Sequence, residues 1–152
     1  MNTYSNIYLH IIFSVKYRDA VIGKYWKPDL HAYITSVFNA KGHKTIIVGG
    51  TCDHVHVLID YNPSQSIPDM MRDVKQSASL WINASHKTMC KFAWQRGYGV
   101  FSYTQSHIPT VKQYIANQVE HHKRENHVQE FEALLRTRHI AFDPKYMPQM
   151  PE

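Results

Sequence analysis

The stretch Asp53-His54-Val55-His56-Val57-Leu58-Ile59 reads as a strand, and its reading decides the rest. Side chains alternate across a strand, so His54 and His56 project from one face about 7 Å apart. Val55, Val57 and Ile59 then point the other way, into a core, and fix the register. Two imidazoles at that separation can converge on one metal ion. Two polar residues on a solvated strand face are the plainer alternative, and a bare His-x-His does not decide between them. Cys52 shares the parity of the histidines, so Cys52, His54 and His56 could be three zinc ligands. A fourth ligand is not supplied at structural-zinc spacing, which leaves Cys52 as a small packing residue.

Working outward, Gly49 and Gly50 relax the chain between this strand and another over 45–51. Ser5 to Lys16, rich in Ile, Tyr, Phe and Val, is predicted as a strand. Lys27 to Lys41 is predicted as a helix with Leu30, Ile34, Val37 and Phe38 on one face, stopped by Gly42. Ser66, with Asp69 three residues later, caps a helix running to about Ala84, with Ile67, Met70, Met71, Val74, Ala78 and Trp81 as its buried stripe. Lys91 to Trp94 and Tyr98 to Tyr103 are predicted strands around Gly97. A longer helix from Ser106 is predicted to pass Gln118 and end near Asn126, and Gln129 to Arg136 forms another. The order β-α-β-β-α-β, with a further strand and C-terminal helices, predicts an α+β fold: a ferredoxin-like antiparallel sheet with helices on one face. Residues 1–127 read as one domain, and 128–152 as a C-terminal helix and a loose tail ending in the Pro-rich 143–151.

Length and composition agree. A chain of 152 residues with 43% hydrophobic and 19% charged residues is one domain's worth, large enough to bury a core unaided. Disorder, collagen-like repeats and a heptad rod are excluded. The longest apolar run, 7–15, is too short to span a bilayer and contains His10. The N-terminus has no secretory pattern and two cysteines make no disulfide framework, so a cytoplasmic protein is expected, without a membrane partner. Seventeen Lys and Arg against twelve Asp and Glu give +5, which favours a polyanionic partner.

The second constellation is Tyr114-Ile115-Ala116-Asn117-Gln118. On a helix, Tyr114 and Gln118 sit one turn apart on one face, beside Ile115, Val119 and His122. A core tyrosine bonded to a neighbouring amide is the plain reading. If this helix lies across the His-x-His strand, two imidazoles and one amide oxygen could hold a metal that leaves positions open for a phosphate, with a phenol beside it able to attack phosphorus. A metal ion neutralises charge on nonbridging oxygens. A phenol with a pKa near 10 needs a neighbouring base or the metal's field to become a nucleophile.

Together, Asp53-His54-Val55-His56 after Gly49-Gly50, the segment Phe92-Ala93-Trp94-Gln95-Arg96-Gly97-Tyr98-Gly99, and Tyr114-x-x-x-Gln118 resemble the single-tyrosine HUH transposase family of small insertion sequences, over about 5–126. That resemblance implies a ferredoxin-like fold and a DNA transposase. His54, His56 and Gln118 would bind a divalent metal, Mg²⁺ or Mn²⁺. Tyr114 would cut single-stranded or hairpin DNA, keep the 5′-phosphate covalently and rejoin strands. It also implies a homodimer, in which one subunit's tyrosine helix could serve the other's histidines.

Such an enzyme must hold its DNA. Lys16 and Arg18 at the end of the first strand, Arg72 and Lys75 on the second helix, and Lys112, Lys123 and Arg124 are candidates for phosphate contacts. Trp94, Tyr98 and Tyr103 are candidates for stacking on unpaired bases. Two other readings stand beside this one. Arg96 to Tyr103 partly matches the RNA-recognition signature, which would make a binding module without catalysis, although that signature belongs on the third strand, where His54 and His56 stand. An HUH nicking enzyme of the replication-initiator or relaxase kind would share the active site, but usually brings further domains.

Overall fold

The computed structural model describes residues 4–16, 21–118, 127–138 and 140. Its elements in chain order are β1 (Tyr8–Ser14), α1 (Lys27–Ala40), β2 (Lys44–Gly50), β3 (His54–Asp60), α2 (Ile67–Ala84), β4 (Gly99–Tyr103), a 3₁₀ turn (Gln105–His107), α3 (Ile108–Ala116) and α4 (His127–Thr137). The four strands form one antiparallel sheet in the order β2-β3-β1-β4. This is the ferredoxin-like order expected from the sequence, with β3 inserted between the two strands that α1 connects.

Local chemistry sets the helix boundaries. Ser66 caps α2 as expected, its side chain accepting from the Asp69 backbone N–H at 3.2 Å, with Pro68 in the first turn. Pro28 starts α1, and Gly42, at φ +90°, stops it. The buried stripe of α2 is Met70, Met71, Val74, Ala78 and Ile82, while Ile67 and Trp81 pack on its margin.

The sheet is covered on both faces, not one. Leu9, Ile11 and Phe13 of β1 and Val55, Val57 and Ile59 of β3 meet Leu30, Ile34 and Phe38 of α1 and the α2 stripe in the main core. On the opposite face, Leu58 packs with Val111 and Ile115 of α3, and Ile12 and Phe101 pack with Leu135 of α4. α4 is tied down further by Arg138, which donates to the Ser102 carbonyl at 2.9 Å and lies 4.4 Å from the Tyr103 ring centre.

Two expected elements differ. Lys91 to Trp94 makes no ladder strand and contributes only an isolated bridge between Trp94 and Val15. The reason lies in α2. The Asn83 amide accepts from Phe92 N–H at 2.8 Å and donates to its carbonyl at 3.0 Å, and Lys75 donates to the Gln95 and Gly97 carbonyls at 2.7 and 2.9 Å. Side chains of a helix satisfy the backbone that a neighbouring strand would otherwise pair. The helix expected from Ser106 begins with the 3₁₀ turn and reaches its C-cap at Asn117; its continuation over 119–126 and the tail lie outside the described residues. Among the described residues, no helix is long and apolar enough to cross a membrane.

Candidate active site

Register puts a polar row on the second face. Ile12 pairs with His56, Ser14 with His54, and His10 with Leu58, so His10, Ser14, His54 and His56 share a surface. α3 lies over it because β2 offers no side chain at Gly49: a Cβ there would come within 2.4 Å of the Ile115 carbonyl oxygen. This close approach sets Tyr114 beside the histidines. The His-x-His pair is therefore not on a solvated strand face. His54 and His56 are both fully buried, so their nitrogens require partners.

Each imidazole is oriented through Nδ1. That of His54 lies 2.7 Å from Asp53 Oδ1 and 3.0 Å from Thr51 Oγ1, which itself donates to Asp53 Oδ1 at 2.9 Å. A carboxylate that accepts from Nδ1–H would hold, on ion binding, the tautomer whose Nε2 offers its lone pair to the ion. Nε2 of His54 faces Gln118 Oε1 at 3.0 Å. His56 Nδ1 meets His10 Nε2 at 2.7 Å, and His56 Nε2 faces Glu130 Oε1 at 3.2 Å. Burial, reinforced by His56, holds His10 well below the ordinary imidazole value and so neutral at physiological pH.

Tyr114 completes the group. Its ring centre lies 5.8 Å from that of His56 and its hydroxyl donates to Glu130 Oε1. The ligating atoms of His54, His56 and Glu130 lie within 4.8 Å of one another. Two imidazole nitrogens, a carboxylate and the nearby Gln118 amide oxygen form a mixed nitrogen and oxygen donor set, suited to a divalent ion such as Mn²⁺ or Mg²⁺ more than to a thiolate-bound zinc. Cys52 is exposed, so it is neither a member of that group nor the packing residue expected from the sequence. Beside Tyr114 lies a cavity of about 360 Å³ lined in part by His10, Tyr103, His107 and Thr110.

The four principal candidates, His54, His56, Tyr114 and Gln118, thus meet in one chain. The surface candidates scatter. Lys16, Arg72, Tyr98 and Lys112 are exposed, with Arg72 paired to Asp69 and Asp73. Lys75 is occupied by the carbonyls of Gln95 and Gly97, and burial pushes its pKa down. Trp94 is buried, its ring edge-on to Phe13 and Phe92 and its Nε1 donating to the Lys75 carbonyl at 3.1 Å. Both therefore build the loop that precedes β4. Tyr103 is half-buried beneath Arg138. Arg18, Lys123 and Arg124 lie outside the described residues. Tyr98, the exposed aromatic of the segment that partly matches the RNA-recognition signature, lies just before β4 rather than on the sheet, and Phe101 is buried against Phe131.

Sequence reasoning missed His10 and Glu130. Each left a weak signal, His10 as the one imidazole in an apolar strand and Glu130 as a carboxylate beside Phe131 and Leu134. Only the pairing of β1 with β3 and the packing of α4 give those signals a meaning.

The family described as "Transposase IS200 like" matches residues 3–118. The ISDra2 transposase TnpA of Deinococcus radiodurans is 24% identical over 114 residues, covering 72% of this chain and 81% of that protein. A crystal structure from Deinococcus radiodurans R1, described there as a candidate transposase, superposes with a TM-score of 0.60 at 20% identity over 78% of this chain and 95% of the other. A REP-associated tyrosine transposase bound to a REP hairpin gives 0.55 at 14% identity over 80% and 74%. The two structural likenesses establish the shared fold.

Proposed function

This chain belongs to the IS200-like transposase family, and from that premise we propose that it cleaves and rejoins single-stranded DNA through a covalent 5′-phosphotyrosine on Tyr114. The observation that supports this reading is the juxtaposition within one chain of a phenol and two imidazole Nε2 atoms, each imidazole tied down at Nδ1. His54, His56 and Gln118 would hold a divalent ion, Mg²⁺ or Mn²⁺. Bound there, the ion supplies Lewis-acid neutralisation of the nonbridging phosphate oxygens.

The chain's own residues do the rest. The Tyr114 O–H bond breaks and its oxygen forms a bond to phosphorus, while the bond from phosphorus to the 3′ oxygen breaks and that oxygen takes up a proton, so that the proton lost by the phenol is balanced by the one on the freed 3′-hydroxyl. Attack by another 3′-hydroxyl reverses the exchange and joins strands with no external energy source, because one phosphoester is traded for another. Asp53 and His10 hold the imidazoles in place, and the cavity beside Tyr114 leaves space at the nucleophile for the substrate. A hairpin substrate is proposed on the likeness to the REP-hairpin-bound structure, with exposed Lys16, Arg72, Lys112 and Tyr98 as surface contacts. A homodimer is proposed as well, holding two such sites, one per chain.

The test is incubation with single-stranded DNA carrying a hairpin from the element's end, plus Mn²⁺ or Mg²⁺. A denaturant-resistant protein–DNA adduct should form, and Tyr114→Phe should abolish it. An adduct that survives in Tyr114→Phe would move the nucleophile elsewhere.

A further inference from the structure

Glu130 stands where two tasks meet. It is buried on α4, and its Oε1 accepts the hydrogen bond from the Tyr114 hydroxyl. The same oxygen lies 3.2 Å from His56 Nε2, the nitrogen left for an ion once His10 engages Nδ1. Glu130 is also the one carboxylate in the group of three residues whose ligating atoms lie within 4.8 Å. The imidazoles and the Gln118 amide are neutral donors when they bind a metal, so a divalent cation there would find its anionic partner in Glu130. A neutral phenol is the weaker competitor for that oxygen.

We infer that Glu130 is shared between nucleophile and metal: it holds the Tyr114 hydroxyl in the ion-free site and turns to the cation on loading, which frees the phenol. This rests on the reading that His54 and His56 bind a divalent ion. Linkage makes the consequence two-sided. If hydroxyl and cation compete for one oxygen, deleting the hydroxyl must tighten the cation, and only while the carboxylate is present.

The test is binding of Mn²⁺ alone to the full chain, followed by loss of the free-ion electron paramagnetic resonance signal, with no DNA. Tyr114→Phe should tighten Mn²⁺ about tenfold, the scale of a hydrogen bond to a charged group. Glu130→Gln should weaken it by about ten- to a hundredfold, and adding Tyr114→Phe to Glu130→Gln should change little. Unchanged or weaker binding in Tyr114→Phe, or wild-type binding in Glu130→Gln, would overturn the sharing while leaving the histidine site standing. Failure of the wild type to bind, or undiminished binding in His54→Ala, would overturn both. Tyr114→Phe leaves α4 untouched, so it decides the matter if thermal melting shows that Glu130→Gln does not fold.

Discussion

Along β3 the two faces of the sheet are buried to the same depth and serve different purposes. Val55, Val57 and Ile59 face α1 and α2 in an all-apolar core, while His54 and His56, one residue out of phase, face α3 and α4 and are equally inaccessible. A period of two thus writes two programmes into seven residues. The apolar face supplies stability through burial. The polar face must satisfy each imidazole by a specific partner, which costs adaptability but fixes orientation to the ångström. The contrast teaches that burial alone does not mark a residue as structural. What marks the second face is a group of buried donors and acceptors aimed at one another, set between two apolar clusters.

The comparison can be broken at four points. The largest effect is expected from Tyr114→Phe, which should cut covalent adduct formation by at least about 1,000-fold while the protein melts cooperatively; a comparable loss of folded structure would mean that Tyr114 serves the packing of the second face rather than chemistry. Phe13→Ala, on the apolar face, should have the reverse signature, destabilising the fold by about 3–5 kcal/mol in denaturant titrations while adduct yield per folded molecule stays constant. Asp53→Ala removes the carboxylate behind His54 and should weaken Mn²⁺ binding by about 10- to 100-fold, as calorimetry can measure. Unaltered affinity there would show that Thr51 alone orients the ring.

The smallest effect concerns pH. His31 of α1 has its pKa lowered to about 4, first by burial and then by Lys27. Its folded value lies below its unfolded value of 6.5, so the unfolded chain takes up the proton first. The contribution is therefore intact above about pH 6.5 and is lost as pH falls toward about 4. Replacing it by His31→Gln should flatten that limb of the stability profile by at most about 2 kcal/mol, a figure discounted for partial exposure. An unchanged acid limb would remove His31 from the account.

How much of this was legible in the sequence follows from the range of each signal. His54, His56, Tyr114 and Gln118 are placed by short periods, two along a strand and about 3.6 along a helix, so their faces follow from a few neighbouring residues. The capped start of α2 is equally local, fixed by Ser66 and Asp69. His10 is different. It reaches His56 only because β1 pairs with β3 across 46 positions, and nothing in the strand's own pattern states its partner. Glu130 enters from a helix assigned to a separate C-terminal segment, and its role depends on how α4 packs. Trp94 and Lys75 look like binding residues in isolation, an aromatic and a cation near a glycine-rich turn. Asn83 and Lys75, contributed by α2, anchor that turn and draw Trp94 inward, which no local pattern encodes.

The claim beneath all of this is that one chain's second sheet face unites the phenol with the imidazole pair. The most direct test mixes two inactive variants, His54→Ala and Tyr114→Phe, with single-stranded hairpin DNA and Mn²⁺ and scores the denaturant-resistant adduct by mass. A site completed within each chain leaves the mixture as inactive as either variant alone, and that is the expected result. Recovery of adduct, carried on Tyr114 of the His54→Ala chain, would show that the phenol works on another subunit's histidines and would contradict the account.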